Sequence, residues 1–358
     1  MDELRYGIVG AGMMGCEHIE NVIATGRGVV TAVADPHEPS QKAAIEAVGD
    51  QPRPMIFDHH VAMLEAGVCD AVVVATPNMT HRSVLGDVLA APVHVLVEKP
   101  LCITVAECRE VIVAAADRRE LVWVGLEYRY MPPVARLLAE VGAGAVGTVH
   151  MVAAREHRFP FLTKVGSWNR FSAQTGGTLV EKCCHYFDLM VLATGGARPV
   201  RVFASGGQSV NHLDEVYAGR TPDILDNAYV IVDFDSGARG MLDLCMFAEA
   251  TRNQEELVVV GDAGKVEALV PEGVVRVGRR GEHWIGGVEE ITVVDHSVVH
   301  QGLHHGSSYV EHIRFLDAIE NGTPPEVTLL DGLLAVAIGE AAHRSIDERR
   351  PIEMNEVL

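Results

Sequence analysis

The first 125 residues alternate short apolar runs with helical stretches, and this alternation constrains the fold more than any other feature of the chain. Six runs rich in β-branched residues are separated by segments with helical character: YGIV, VVTAVAD, PMIFD, AVVVAT, VHVLVE and VWVG. Strands that alternate with helices form parallel sheets, because parallel strands need long crossover connections, which are usually helical. We therefore predict an α/β domain with a parallel sheet over residues 1–125.

The motif GAGMMG, residues 10–15, lies between the first strand and the first helix. Its glycines permit a tight turn and let backbone N–H groups approach a pyrophosphate at the helix N-terminus. The second strand ends at Asp35, whose carboxylate is placed to accept hydrogen bonds from an adenosine ribose. A carboxylate there repels the 2′-phosphate of NADP, and no arginine follows within three residues. NAD is the predicted cofactor and NADP is disfavoured; the alternative is that Asp35 only caps a turn before Pro36.

Two later strands end in polar motifs: ATPNMTH at 75–81 and EKP at 98–100. Ligands of open parallel sheets bind beyond the carboxyl ends of the strands, so we expect both motifs at the cofactor crevice. Pro100 biases Lys99 away from helical geometry and would place its ammonium at the nicotinamide rim. The predicted cofactor-binding residues are Gly10, Gly12, Met13, Met14, Gly15, Asp35, Thr76, Pro77, Asn78, His81, Glu98 and Lys99.

Charge and composition exclude several classes of partner. The chain carries 29 basic and 49 acidic residues, a net charge of -20 that repels nucleic acid and anionic membrane surfaces. No apolar run approaches the ~20 residues that cross a bilayer, and the N-terminus shows no secretory signal pattern. The seven cysteines are odd in number and never spaced C-x-x-C, which argues against a disulfide framework or a zinc ribbon. A cytoplasmic protein is expected.

A second cluster of chemically active side chains lies in GGTLVEKCCHYFDLM, residues 176–190. A helix that starts near residue 177 would place Glu181 and His185 on one face, four residues apart, with Asp188 nearly in line. A carboxylate beside an imidazole orients the ring and raises its pKa, which suits a proton acceptor. Neighbouring Cys183 and Cys184 would point about 100° apart, so core packing is favoured over a metal or redox site. Lys182 is predicted to be a solvated charge.

Together, GAGMMG, Asp35, ATPN, EKP and GGTLVEKCCH resemble the glucose-fructose oxidoreductase/inositol dehydrogenase/MocA family of nicotinamide-dependent sugar and cyclitol dehydrogenases. The resemblance covers essentially the whole chain. It implies a Rossmann domain (1–125) followed by an α+β domain (126–358) with an open, mostly antiparallel sheet, which binds substrate and mediates oligomerisation. It also implies catalytic roles for Lys99, His185 and Glu181, although glutamate stands at 181 where the family usually has aspartate, and Thr178 replaces a usual glycine.

Substrate contacts implied by the resemblance come from three segments, GLEYRYMP, AREHRF and GSWNRF. Several hydrogen-bond donors near an aromatic side chain suit a polyol, although Arg155 and Arg170 could equally pair with surface carboxylates. The predicted substrate-binding residues are Glu127, Arg129, Arg155, Trp168, Asn169 and Arg170.

The second half contains longer strands and two sequences typical of tight hairpin turns, at residues 235–237 and 262–264. A sheet that carries helices on one face needs cover on the other, so a homodimer or homotetramer through this sheet is expected. Five histidines at positions 296, 300, 304, 305 and 312 match no recognised metal-ligand spacing and are interpreted as polar loop residues, with no metal site predicted. One of them, or Tyr309, could still line the substrate cleft.

These features predict an NAD-dependent dehydrogenase that oxidises a secondary hydroxyl of a cyclitol or sugar to a ketone. His185 is the predicted base and Lys99 hydrogen-bonds the same oxygen. Two alternatives remain: redox-assisted glycoside cleavage or elimination with recycling of the cofactor, and a nucleotide-binding protein without catalysis.

Overall fold

The computed structural model describes residues 3–281 and 285–358. Its N-terminal part is a six-stranded parallel sheet with the strand order β3-β2-β1-β4-β5-β6. The strands are β1 (Leu4–Val9), β2 (Gly28–Ala34), β3 (Met55–Phe57), β4 (Ala71–Val74), β5 (His94–Glu98) and β6 (Val122–Gly125). Each of the six apolar runs noted in the sequence overlaps one of these strands, so the predicted parallel sheet is confirmed.

Five helices connect these strands: α1 (Met13–Thr25), α2 (Glu38–Val48), α3 (His60–Glu65), α4 (His81–Val88) and α5 (Val105–Ala115). Strands β4 and β5 are completely buried except at His94, which fits their continuous apolar sequences. The order of the strands reverses between β1 and β4, where the loops after both strands meet. Ligands of such sheets bind at this switch point.

The C-terminal sheet has nine strands in the order β14-β13-β12-β11-β7-β10-β9-β8-β15. All neighbours pair antiparallel except β7 and β10, which are parallel. The strands are β7 (Val149–His157), β8 (Pro199–Gly207), β9 (Asn227–Phe234), β10 (Arg239–Cys245), β11 (Glu255–Gly261), β12 (Gly264–Val270), β13 (Val274–Arg279), β14 (Glu289–Thr292) and β15 (Ile352–Glu353). Both predicted hairpins form, joining β9 to β10 and β11 to β12.

Helices cover one face of this sheet, and one of them also contacts the N-terminal parallel sheet. They are α6 (Pro132–Gly142), α7 (Ser172–Thr175), α8 (Thr178–Glu181), α9 (Cys184–Ala193), α10 (Ser307–Asn321) and α11 (Leu329–Glu348), with short 3-10 helices at Asn78–Thr80, Glu127–Tyr130, Val165–Arg170 and Met354–Glu356. Helix α11 packs on α9 and β8 and also on α5 and β6. Helix α11 therefore contacts elements of both sheets. The boundary between two domains at residue 125 remains a prediction.

Candidate active site

The glycine loop between β1 and α1 has the geometry of a dinucleotide cradle. Gly10 has φ = +88°, and a Cβ there would lie 2.7 Å from the backbone of Ala75. A Cβ on Gly15 would run into the carbonyl oxygen of Gly10, whereas Gly12 faces open space. Gly12 begins α1 without a side-chain cap, so the first N–H groups of the helix, from Met13 and Met14 onward, are left for a ligand. These residues fit a pyrophosphate.

Asp35 lies at the end of β2, directly beside this loop. Its Oδ2 accepts a hydrogen bond from the Ala11 N–H at 2.7 Å, and its Oδ1 accepts one from the His37 N–H at 2.8 Å. The second bond is the turn cap considered above, so Asp35 caps the turn and also braces the glycine loop. A carboxylate offers about four acceptor positions, which leaves capacity for the two hydroxyls of a ribose.

The loop after β4 is tied down by its own polar side chains. His81 is fully buried, with ring nitrogens 2.8 Å from the Pro100 carbonyl and 3.0 Å from the Thr76 carbonyl. Asn78 donates to the carbonyl of Thr175, which links this loop to α7. A neutral imidazole donates to one of these two carbonyls, so His81 links the loops after β4 and β5, and its predicted contact with the cofactor stays open. The prediction for Thr76, Pro77 and Asn78 stays open.

Glu98 is the last residue of β5 and Lys99 follows it, and the two side chains contact different partners. Glu98 is buried, with Oε1 2.9 Å from His18 Nε2 and Oε2 accepting from the backbone N–H of Lys99. Burial raises the pKa of Glu98, but the hydrogen bond from His18 and the charges of His18 and Lys99 have the larger effect and lower this pKa to about 2. Glu98 therefore anchors α1 to the strand end, and its carboxylate is internally satisfied. This anchoring fixes the backbone from which Lys99 extends.

Lys99 reaches across to the second half of the chain, where its Nζ donates to the Glu181 carbonyl oxygen at 3.3 Å. Burial lowers the pKa of Lys99, but Cys184 and the carboxylates of Glu98, Glu181 and Glu127 raise it, and the pKa lies above its ordinary value. Lys99 is therefore an ammonium at neutral pH in this environment.

The predicted single helix from residue 177 through 188 is wrong. Helix α8 ends at Glu181 and α9 starts at Cys184, with Lys182 and Cys183 forming a turn between them. The Glu181 carbonyl, which a continuous helix would bond to the N–H of residue 185, instead accepts the Lys99 ammonium. The spacing of Glu181 and His185 is therefore not that of an i, i+4 pair on one helix.

Glu181 nevertheless lies at the same place as Lys99. Its side chain is buried, and Oε2 has no hydrogen-bond partner in the described structure. Burial raises the pKa of Glu181, and Lys164 and Lys99 oppose that rise. Lys164 lies 5.0 Å from the centroid of the Trp168 ring, in the loop before α7. A buried acceptor between two lysines is a site for a ligand hydroxyl.

His185 is almost completely buried and is held against Tyr128. The two rings are parallel within 8° with centroids 3.9 Å apart. The carboxylate nearest to the imidazole is Glu127, whose Oε2 lies 3.8 Å from Nδ1. Burial together with the charges of Lys99 and Lys182 holds the pKa of His185 well below its usual value. The predicted rise in this pKa is therefore wrong, and the imidazole is a neutral base at physiological pH.

Asp188 does not orient His185 as predicted. Its carboxylate forms a bidentate ion pair with Arg129, in which Nε to Oδ2 is 2.6 Å. The remaining Arg129 nitrogen, Nη1, donates to the Glu326 carbonyl at 2.7 Å. Arg129 was predicted to bind substrate; its guanidinium is instead consumed by contacts that join the 127–130 turn to α9 and to the segment before α11.

Lys182 was predicted to be solvated and is buried. Its Nζ lies 2.5 Å from the Tyr128 hydroxyl, to which it donates, and 2.9 Å from Glu156 Oε1. The break between α8 and α9 turns this side chain inward toward the sheet. Lys182 thereby fixes Tyr128, the residue on which His185 stacks. All seven cysteines are free, and Cys183 and Cys184 pack in the core.

The arginines predicted to bind substrate are paired within the protein. Neighbouring residues of a strand point to opposite faces of the sheet. Glu156 of β7 points to the buried face, where it contacts Lys182, so Arg155 points to the open face. There Arg155 pairs with Glu256. Arg170 is buried and pairs with Glu215 at 2.9 Å. Both arginines therefore pair with carboxylates of the protein, which was the alternative to substrate binding.

Trp168 and Asn169 lie in the 3-10 helix before α7, and both are buried. The Asn169 side chain donates to the Leu162 carbonyl at 2.8 Å and leaves Oδ1 without a partner in the described structure. Glu127, the remaining predicted substrate residue, is 2% exposed and contacts His185. The structure therefore brings Glu127 to the Lys99 and His185 region.

Sequence reasoning missed three residues at this site. His304 Nδ1 lies 3.7 Å from Glu127 Oε1, Lys164 faces Glu181, and Glu156 supports Lys182. The histidine-rich segment had been noted as a possible contributor to the cleft, but no spacing singles out His304. Lys164 lies in a loop without a motif, so no sequence signal could have found it.

Another histidine of that segment, His300, lies 3.6 Å from Glu20 Oε2. With Glu17 these residues place three possible metal-ligand atoms within 4.8 Å, but Glu17 Oε1 already accepts the Leu303 N–H. In residues 3–281 and 285–358 no helix is both long and apolar enough to cross a membrane.

Comparison with known proteins gives the family. Residues 4–126 match the model of an oxidoreductase family described as its NAD-binding Rossmann fold, and residues 139–354 match that family's C-terminal alpha/beta domain. A myo-inositol 2-dehydrogenase of Thermotoga maritima is 27% identical, with 99% of this chain and all of that protein covered. An inositol 2-dehydrogenase of Rhizobium meliloti is 26% identical over 98% of this chain and 99% of that protein.

Among solved structures, GenD2 from gentamicin A biosynthesis in complex with NAD is 27% identical, with a TM-score of 0.79 over 99% of this chain and 97% of that chain. The predictions of the fold, of an oxidoreductase and of NAD as its cofactor are confirmed. The glycine loop and Asp35 described above are the residues that fit this cofactor. The chain belongs to the glucose-fructose oxidoreductase/inositol dehydrogenase/MocA family of NAD-binding oxidoreductases.

Proposed function

We propose that this protein oxidises a secondary hydroxyl of a cyclitol or sugar to a ketone, with transfer of hydride to NAD. One observation carries the proposal. An ammonium from the end of the parallel sheet lies close to a neutral imidazole from α9. Lys99 Nζ donates to the Glu181 carbonyl, His185 lies beside Glu127, and the Lys99 charge contributes to the low pKa of His185. The inositol dehydrogenases among its relatives support the substrate class.

His185 is the proposed general base. Loss of hydride from a carbinol carbon requires that the hydroxyl proton leave, and a neutral imidazole can accept it at Nε2. Because its pKa is well below the usual value, His185 is already a neutral imidazole at neutral pH and can accept a proton directly. Stacking on Tyr128 fixes the plane of the ring, which aligns the nitrogen before substrate arrives.

Lys99 is proposed to hydrogen-bond the same substrate oxygen and to stabilise the negative charge that develops there. Its pKa lies above the ordinary value of a lysine, so the side chain is charged at neutral pH. When bound, NAD supplies the hydride acceptor, held by the loop of Gly10, Gly12 and Gly15 and by Asp35.

Recognition of a polyol is supported by buried acceptors that lack protein partners. Glu181 Oε2 and Asn169 Oδ1 are both buried and unpartnered in the described structure. Substrate hydroxyls can donate to such atoms, whereas an apolar ligand would leave them unsatisfied at about 1–3 kcal/mol each. Trp168, beside Lys164, is proposed to pack against the C–H face of the ring.

A spectrophotometric screen tests the function. Purified protein is mixed with NAD or NADP and with inositols, aldoses or glycosides, and NADH absorbance is followed. Net formation of NADH with a ketone product supports the proposal. Release of a leaving group without net NADH would instead establish the redox-assisted cleavage considered above. No consumption of any polyol, with NAD binding intact, would contradict both.

Replacing Asp35 with serine is expected to weaken NAD binding by about 10- to 100-fold, because the ribose loses a charged acceptor worth about 1.5–3 kcal/mol. NADP binding should not weaken, since the repulsion of its 2′-phosphate is removed. Fluorescence titration with NADH and NADPH measures both. Asp50→Ser, in the exposed turn after α2, is the matched control. Equal weakening of both cofactors would show that Asp35 acts only by bracing the glycine loop.

We also propose that the open face of the nine-stranded sheet joins copies of this chain. Exposed apolar side chains lie on adjacent strands there: Met151, Phe203, Tyr229, Ile231 and Met241. Phe203 and Met241 flank Ile231 across two strand pairs. A contiguous apolar patch of this kind is typical of an interface.

Ile231→Asp is expected to lower the mass of the oligomer measured by light scattering, because a carboxylate at the centre of an apolar interface would be desolvated. Val113→Asp, on exposed α5, introduces the same charge away from the sheet and should leave the mass unchanged. An unchanged mass for Ile231→Asp, or a monomeric parent, would refute the proposed interface.

A further inference from the structure

Glu127 lies between two imidazoles that come from distant parts of the chain. Its Oε2 is 3.8 Å from Nδ1 of His185, and its Oε1 is 3.7 Å from Nδ1 of His304. The Glu127 side chain is nearly inaccessible to solvent, as is that of His185, whereas the His304 side chain is 22% exposed. The three residues therefore form a row that runs from the buried base to the protein surface.

The row is fixed at both ends. Tyr128 stacks on His185, and the Lys182 ammonium holds the Tyr128 hydroxyl. At the other end, the His304 carbonyl accepts hydrogen bonds from the N–H and the hydroxyl of Ser307, at the start of α10. The N–H of Leu303 donates to Glu17 on α1.

The two atoms that face one another at the inner end of this row are unsatisfied. In the described structure, Glu127 Oε2 and His185 Nδ1 are both buried without a hydrogen-bond partner. At the outer end, His304 Nδ1 lies 3.5 Å from the Ser308 hydroxyl, which is the limiting distance for a hydrogen bond. Buried polar groups rarely stay unpaired. Small side-chain rotations would convert the 3.8 Å and 3.7 Å separations into hydrogen bonds.

We propose that Glu127 and His304 form a proton exit from the active site, in which Glu127 is a neutral carboxylic acid that passes the substrate proton from His185 to His304 and on to solvent. This inference rests on the proposed function, because His185 receives its proton from the substrate hydroxyl. It assigns a chemical role to a residue of the histidine-rich segment.

The transfer balances without creating a buried charge. The substrate O–H proton moves to His185 Nε2 while the Nδ1 proton of His185 moves to Glu127 Oε2. Glu127 gives its own Oε1 proton to His304 Nδ1, and His304 releases its Nε2 proton to water. Each of the three groups ends neutral, in its other tautomer. A relay through neutral groups avoids the desolvation cost of an imidazolium in this site.

The charged surroundings favour these neutral forms. Burial and the charge of Glu98 raise the pKa of Glu127 to about 8, with Lys99 and Lys182 opposing. Burial and Lys182 lower the pKa of His304 to about 3. The groups that face the row are Glu98, Lys99, Arg158, Lys182 and Glu311. At neutral pH Glu127 is then mostly protonated and both histidines are neutral.

Infrared spectroscopy of the full chain with NAD tests the state of Glu127 without turnover. The wild-type protein at neutral pH should show a carboxylic acid C=O band that Glu127→Gln removes. His304→Gln should shift this band, because an amide replaces the imidazole acceptor, while His296→Gln, at an exposed position of the same segment, should not. Because Glu181, Glu255 and Glu311 are also buried carboxyl groups with raised pKa values, the band is identified in the difference spectrum between wild type and Glu127→Gln. A difference spectrum without an acid C=O band, or a Glu127 band that His304→Gln leaves unshifted, would overturn the relay whether or not a polyol substrate is found.

Kinetics test the transfer itself on the substrate identified by the screen. His304→Gln is expected to lower kcat about 10-fold or more with little change in KM, and to increase the solvent isotope effect. Added imidazole should restore part of the rate, which a packing defect would not allow. Wild-type kcat and isotope effect in His304→Gln would refute the exit, whereas absence of any turnover in the wild type refutes the proposed function and leaves the infrared result to decide the relay.

Discussion

Replacing Lys99 with methionine is expected to lower kcat by about 10²–10³-fold, the usual effect of removing one donor that stabilises a developing oxyanion. Methionine keeps the length and the apolar stem of the side chain but cannot donate to the substrate oxygen. NAD affinity should change little, because the pyrophosphate and ribose are held by the glycine loop and Asp35. The measurements are kcat for the best substrate and NADH fluorescence titration.

Lys42→Met is the matched control, since this lysine is exposed and pairs with Glu38 on α2, away from the site. Its kinetics should equal those of the wild type. Lys99→Arg is informative as well, because it keeps the charge but changes the donor geometry, and it should recover part of the lost rate. Near wild-type turnover in Lys99→Met would remove Lys99 from the mechanism.

Asp188→Ala is expected to destabilise the protein by up to about 3–5 kcal/mol, the cost when one partner of a buried ion pair is left uncompensated. Asp188 is 2% exposed, and its loss would leave the buried Arg129 guanidinium with only the longer contact to the partly exposed Asp331, at 3.3 Å, among its carboxylate partners in the described structure. Because Arg129 also joins the segment before α11, the thermal midpoint should fall sharply. Calorimetry of wild type and variant measures the change.

An exposed ion pair supplies the control. Asp233→Ala removes a partner of Arg201 on the surface of the sheet and should cost no more than about 1 kcal/mol. The double variant Asp188→Leu/Arg129→Met removes both buried charges, so it should be more stable than Asp188→Ala alone. If the single Asp188→Ala variant were as stable as Asp233→Ala, the assignment of this pair as a structural anchor would be wrong.

The parts of the site that sequence could predict are those made by local backbone geometry. Gly15 is required because a side chain there would collide with the Gly10 carbonyl, within the same strand–turn–helix connection, and Gly10 is required by its positive φ. Asp35 and Lys99 follow from their positions at the ends of parallel strands, where a topological rule says ligands bind. The two hairpins follow from their turn residues.

The errors arose where the environment of a side chain depends on distant residues. Periodicity indicated one helix through Glu181 and His185, but the chain turns at Lys182 and Cys183, and the Glu181 carbonyl accepts the Lys99 ammonium instead. Lys182 is buried against Tyr128 and Glu156, and Asp188 pairs with Arg129, from a different part of the chain.

The order of strands and helices, the cofactor loop and the identity of the chemically active residues were determined by the sequence itself, because they depend on residue spacing within about ten positions. Only the tertiary structure decided which carboxyl group stands beside His185, which charges are buried and which histidine of the late segment reaches Glu127. Those outcomes depend on contacts between residues up to 177 positions apart, as for Glu127 and His304, and on burial, which sets whether each group is charged.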